Sequence, residues 1–157
     1  MQGELLDAQT LQIIYRLSLA VVLGMLIGVE REYRNKPAGL RTYMLVALGA
    51  ALFTIMSVFS LINAPGNASF DPSRIASQVV VGIGFIGGGL IVLRGGRMEG
   101  LTTAAGLWTT AAIGMAAGFG FYIIAIYSTF LVLFVLWVLR SFEDRLHREG
   151  EKQNDQE

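Results

Sequence analysis

Six charged side chains hold most of what this chain could use for chemistry. Glu30, Arg31, Arg41, Arg94, Arg97 and Glu99 fall at the ends or turns of apolar segments, and the alternation of those segments puts all six at one level. With Thr102 and Thr103, which open the fourth apolar segment, they could form an ion-pair lattice, a lipid head-group site or a small-anion pocket. The last draws on a helix N-terminus, where unpaired N–H groups and the helix dipole favour negative charge. Topology alone could equally leave these charges at helix ends with no further role. On the opposite side stand Asp71 and Arg74. Asp71 before Pro72 reads as an N-cap followed by proline at the first helical position, with Arg74 a solvated neighbour.

The remaining chemistry is thin. Nucleophilic, acid–base or metal-assisted hydrolysis needs a nucleophile with its base, paired carboxylates or a ligand set. The apolar segments contain no histidine, no cysteine and no central acid, so the expectation is a protein that is not an enzyme and holds no cofactor or metal. His147, the sole histidine, lies in the charged C-terminal stretch and reads as a solvated residue. Two glycine patterns match phosphate loops by letter. Gly82 to Gly87 fits GxGxxG but lies inside an apolar segment, without the strand and βαβ unit that pattern needs. Gly95 to Thr102 has P-loop spacing, yet Leu101 stands where the phosphate-binding lysine belongs, so a turn between two helices is expected.

The elements that must position these groups are helices. Residues are 54% hydrophobic against 15% charged, and the mean hydropathy is +0.56, a composition that points to a polytopic membrane protein. Five segments are apolar and long enough to cross a bilayer: 11–29, 43–62, 72–93, 102–118 and 121–139. The predicted fold is all-α, a bundle of five transmembrane helices over residues 1–140, with 141–157 a short charged cytoplasmic tail, partly disordered. The fourth segment, rich in Gly, Ala and Thr, should be packed by its neighbours. The N-terminus carries Glu4 and Asp7 and no basic residue before Arg16, so the first segment is expected to stay as an anchor rather than be cleaved. Ten of the twelve basic residues fall on one side, which sets the N-terminus outside and the C-terminus inside. Tyr15 and Tyr122 would then mark the outer interface, Tyr43 and Trp137 the inner one. Zero net charge and the lack of a basic, aromatic-interleaved run exclude nucleic acid as a partner.

Small residues recur at every fourth position: Gly24 and Gly28 in the first helix, Gly84 and Gly88 in the third, Gly106, Gly114 and Gly118 in the fourth. Such rows let backbones approach closely, within a chain or between chains. They predict that the third segment is the buried centre of the bundle, and that the protein, in a lipid bilayer, associates with itself or with another membrane protein. Ser18, Thr54, Ser57, Gln78, Thr109 and Thr110 are expected to hydrogen-bond between helices. A faint repeat relates Gly28–Arg31 and Gly39–Thr42 to Gly89–Arg94 and Gly100–Thr103.

The run Gly24 to Glu32, then Lys36-Pro37-Ala38-Gly39-Leu40-Arg41-Thr42, then Asp71 to Ala76 with Gly82 to Gly87, then Gly100 to Ala105 with Leu107-Trp108, closely resembles the membrane domain of the bacterial MgtC/SapB family. The match covers roughly residues 11 to 140. The resemblance implies a multi-pass inner-membrane protein linked to magnesium limitation, to phosphate and ATP homeostasis and, in pathogens, to virulence. It also implies action by binding other membrane proteins, ATP synthase among them, although older usage calls the family magnesium-transport proteins. Many members carry a further cytoplasmic ACT-like domain, whereas the residues after 140 here form a short tail. Two functions therefore compete: a regulator of another membrane protein, and a carrier of Mg²⁺ or another ion. Mg²⁺ sheds water reluctantly and favours carboxylate oxygens, while the segments offer hydroxyls, one amide and backbone carbonyls.

Overall fold

A computed structural model describes the backbone of residues 2–62 and 73–154 and the side chains of residues 8–60 and 74–138. Five helices are described, α1 (Gln2–Tyr33), α2 (Leu40–Ile62), α3 (Ser73–Gly88), α4 (Leu101–Phe119) and α5 (Tyr122–Asn154), with strands β1 (Val92–Arg94) and β2 (Arg97–Glu99) between α3 and α4. Among the described residues two helices are long and apolar enough to cross a membrane, over Ala8–Tyr33 and Leu40–Ser60; Arg74–Gly88 and Tyr122–Val138 are shorter apolar stretches. Apolar side chains line the outside as well as the core, from Leu45 and Phe53 on α2 to Phe85 on α3 and Ile123 on α5. A surface so broadly apolar marks a face that a membrane or another protein covers.

The centre is α4, which packs against all four other helices. This overturns the expectation that the third segment is the buried centre. In α4 the buried positions Thr103, Gly106, Leu107, Thr110, Ala111, Ile113, Gly114, Ala117 and Gly118 cover a wide stripe, so the packed fourth helix expected from its composition is what forms. On α1 the buried positions Ala20, Leu23, Ile27 and Arg31 follow the three-and-four spacing of one helix face.

Glycine rows permit the close packing, but not all of them. A Cβ on Gly24 would lie 2.7 Å from the Tyr43 carbonyl oxygen, one on Gly28 2.8 Å from the Leu40 Cα, one on Gly118 2.7 Å from the Ala51 carbonyl oxygen, and one on Gly114 3.0 Å from the Ala47 Cα. These four are used within the chain, against α2. Gly84 and Gly88 on α3 have no atom within 4 Å of a would-be Cβ, so that row packs against nothing among the described residues. Tyr43, expected at the inner interface, is fully buried. Its hydroxyl donates to the Thr103 carbonyl at 3.3 Å and occupies the space left by Gly106, where a Cβ would come within 2.5 Å of it.

Helix α3 stops at Gly88 rather than 93. The run Gly87-Gly88-Gly89 is weak helix former on weak helix former, and its last turn closes through Leu90 N–H to the Gly87 carbonyl at 3.1 Å and Ile91 N–H to the Gly88 carbonyl at 3.2 Å. The expected plain turn after it is a two-stranded hairpin, with Gly95 (φ 55°) and Gly96 (φ 78°) as its two-residue loop. Two consecutive positive φ angles are what a hairpin turn matched to strand twist requires, and Gly-Gly supplies them without strain. The sixteen residues of α3 reach about 24 Å, short of a hydrocarbon core of about 30 Å. Helix α5 runs past 139, and its backbone continues to Asn154. The faint repeat is not preserved at its turns: Glu30 and Arg31 lie in α1, and their counterparts Ile91 and Val92 lie at and in β1.

Candidate functional site

The expected group of charges divides into a bonded cluster and a bare set. Glu30 and Arg31 sit in the last turns of α1, where Arg31 is 2% exposed. Its Nε donates to Glu30 Oε2 at 2.5 Å and its Nη2 to Oε1 at 2.9 Å, the two-pronged geometry that a planar guanidinium gives with a carboxylate. Arg34, one turn on, also pairs with Glu30. Neighbouring helix positions do not normally face each other; here burial of Arg31 turns both side chains to the same spot.

The end of α1 is built to hold this cluster. Asn35 takes a left-handed conformation (φ 52°); its N–H bonds the Glu32 carbonyl at 2.9 Å, and the Lys36 N–H bonds the Arg31 carbonyl at 3.1 Å. Those two bonds satisfy carbonyls that a helix end otherwise leaves open. Glu32 then crosses the turn: its carboxylate accepts from the Leu40 N–H at 2.7 Å and so caps the N-terminus of α2, where the helix dipole favours a negative group. Glu32 and Arg34 were not among the expected site residues. The signal was present in Glu30-Arg31-Glu32 followed by Arg34, which places a carboxylate and a guanidinium four apart on a helix.

The other expected residues are not brought to Glu30. Arg41, Arg94, Glu99 and Thr102 are exposed, and Arg41, Arg94 and Glu99 make no ion pair among the described residues. Arg97 is likewise exposed, in the hairpin. Thr103 is buried and contributes its carbonyl to Tyr43. The lattice of six charges is thus one compact pair with Arg34 added. On the opposite side Arg74 is exposed, and Asp71 lies outside the described residues. The organised group there is one the sequence reading left unassigned: Arg16 donates from Nη1 to the Gly118 carbonyl at 2.9 Å and from Nε to the Tyr122 hydroxyl at 3.3 Å. It ties α1 to the end of α4, where left-handed Gly120 (φ 86°) turns the chain into α5. Tyr15 and Tyr122 meet edge-on beside it with ring centroids 5.3 Å apart.

The deep threonines bond within their own helices rather than across to neighbours as expected. Thr54, Thr110 and Thr129 each donate to the carbonyl four residues back in their own helix, all at 2.8 Å, and Thr109 bonds the Ala105 and Gly106 carbonyls. A threonine buried in a helix finds that acceptor without any neighbour. Gln78 stays exposed on α3, where it lines an apolar groove of about 710 Å³ between α2 and α3. Leu45, Gly49 and Phe53 form one wall, Gln78, Gly82 and Ile86 the other, and Ala111 of α4 lies at the base. The GxGxxG run is part of α3 and forms no loop.

The MgtC family model matches residues 17–145. Over 139 residues the chain is 47% identical to the "Putative magnesium transporter YhiD" of Escherichia coli K12, covering 87% of this chain and 65% of that protein. It is 42% identical over 144 residues to protein MgtC of Salmonella typhimurium, covering 88% and 59%. Against protein SapB of Bacillus subtilis it is 38% identical over 145 residues, covering 87% and 62%. The chain spans between half and two thirds of the length of the curated relatives it matches. No solved structure matches it. With its match reaching from the first helix into the fifth, the chain belongs to the MgtC family.

Proposed function

We propose that this protein is a non-enzymatic regulator in the bacterial inner membrane. It crosses five times with N-terminus out and C-terminus in, and it acts by binding the transmembrane helix of another membrane protein during adaptation to low magnesium and in phosphate and ATP homeostasis. The family resemblance names ATP synthase as one such partner and virulence as the setting in pathogens. The observation that carries the reading is the groove between α2 and α3. Each wall is a row at helical spacing with glycine at its middle, Gly49 and Gly82, and neither glycine has an atom within 4 Å of a would-be Cβ. Small residues in an apolar trough are what let a further helix backbone come close in lipid, and the exposed Gln78 amide offers it a hydrogen bond.

Mg²⁺ transport, the reading carried by the name of the Escherichia coli relative, is the competitor. It asks a cation that favours carboxylate oxygens to pass a core whose buried threonines are engaged with their own helices and whose partly buried Glu30 is already neutralised by buried Arg31. That chemistry supports the regulator.

Cross-linking in cells, followed by recovery of the partner, tests it. Gly49→Leu and Gly82→Leu fill the groove, and a Cβ at either position meets no described atom within 4 Å, so the expected result is a protein that folds as before and loses its partner. Retained cross-linking would count against the groove. Selective Mg²⁺ entry into liposomes loaded with a magnesium-sensitive dye, abolished by Glu30→Gln, would overturn the reading in favour of transport.

A further inference from the structure

The hairpin between α3 and α4 has an unusual distribution of side chains. All six strand residues are exposed, and the register pairs Val92 with Glu99, Leu93 with Met98 and Arg94 with Arg97. Residues opposite one another share a face, and the faces alternate along the strands. One face therefore carries Leu93 and Met98, 70% and 60% exposed. The other carries Arg94, Arg97, Val92 and Glu99. Two features are costly in water. An isolated two-stranded hairpin is marginal there at best, and like charges directly opposite repel at a Cβ separation of about 5 Å. Neither arginine is paired with an acid among the described residues; Glu99 on the same face leaves it one net positive charge.

We propose that this hairpin is a docking surface for anionic phospholipid in the leaflet that faces the cytoplasm, a proposal that rests on the reading that the bundle spans the membrane. Lying flat at the interface, the hairpin puts Leu93 and Met98 into the acyl boundary, where amphipathic elements bury their apolar face. The long arginine side chains reach the phosphate level. A lipid phosphate between Arg94 and Arg97 accepts charge-assisted hydrogen bonds from both guanidinium groups and removes their repulsion. The apolar pair selects a lipid over free phosphate, because only a lipid brings hydrocarbon to the opposite face. The hairpin begins four residues beyond the end of α3, at the level where a helix leaves the hydrocarbon.

The chain has no cysteine, so Met98→Cys gives one thiol for a nitroxide label in the full-length protein. Its collisions with oxygen and with a water-soluble nickel chelate report lipid and water, respectively. In vesicles containing phosphatidylglycerol the label should report lipid. Arg94→Gln with Arg97→Gln should shift it toward water by roughly fivefold per arginine, about 25-fold for both, and raised salt should do the same in part. A label at Phe130→Cys, on the exposed side of α5, should report lipid throughout; water there would refute the spanning reading itself. Lipid at position 130 with water at 98, or no change on losing both arginines, overturns the docking surface. So does protection of position 98 by inorganic phosphate alone in phosphatidylcholine vesicles.

Discussion

Replacing glycine by alanine at two positions with the same sequence signature should have opposite effects. At Gly114 the added Cβ would stand 3.0 Å from both the carbonyl carbon and the Cα of Ala47, and closer still to its carbonyl oxygen. Carbon atoms reach their best separation at about 3.5–4.0 Å, so α2 and α4 must move apart by about 0.5–1 Å. The obstacle is backbone and cannot rotate away. A gap of that size forfeits about a quarter to a half of the dispersion attraction of each contact it opens, along an interface that also holds Gly106, Thr110 and Gly118. Overpacking of this kind costs about 1–3 kcal/mol, and the alanine's helix propensity returns about 1 kcal/mol. The expected net loss is about 1 kcal/mol. At Gly84 nothing lies within 4 Å, and the same change should stabilise α3 by about 0.5–1 kcal/mol. Equilibrium unfolding in mixed micelles, followed by circular dichroism and by the fluorescence of Trp108 and Trp137, measures both. If Gly114→Ala proved as harmless as Gly84→Ala, the intrachain assignment of the α4 row would be refuted. A change in oligomer size with unaltered unfolding would instead return that row to contacts between chains.

Glu30→Gln should destabilise the protein by about 3–5 kcal/mol, because it leaves buried Arg31 without its counter-charge; a thermal melt shows it, and Glu30→Asp should recover part of the loss. Arg16→Gln removes a charged donor from the Gly118 carbonyl and from Tyr122, worth about 1.5 kcal/mol for a half-buried bond, and should raise hydrogen exchange at the α4–α5 turn before anywhere else. Gly100→Ala should cost more than either Gly95→Ala or Gly96→Ala. All three have positive φ, but only at Gly100 would a Cβ run into backbone, 2.9 Å from the Leu90 carbonyl carbon. Unfolding of the three variants side by side would refute this if Gly100→Ala were the mildest.

Much of the helical framework is legible in the residues, and the reason is periodicity. Apolar runs of twenty residues specify helices without reference to any neighbour, and the start of α4 and the turn after Gly120 follow from local chemistry at Gly100 and Gly120. The family, too, could be read from four short ordered motifs. What the chain could not reveal on its own was which faces meet. The spacing that lets Gly114 approach Ala47 is the same spacing that leaves Gly84 bare, because a small-residue row states that close approach is possible and not what approaches. Placing α4 rather than α3 at the centre required the packing of all five helices at once. Tyr43 went inward for the same reason: a tyrosine near a helix end suits a membrane interface, and only the space above Gly106 and the Thr103 carbonyl drew it into the core. Among the charges, Glu30, Arg31 and Arg34 sit within one turn, so helix geometry alone could join them. Arg94, Arg97 and Glu99 are a hairpin away from α1, and their placement was decided by a Gly-Gly turn that ended α3 early and set two arginines face to face.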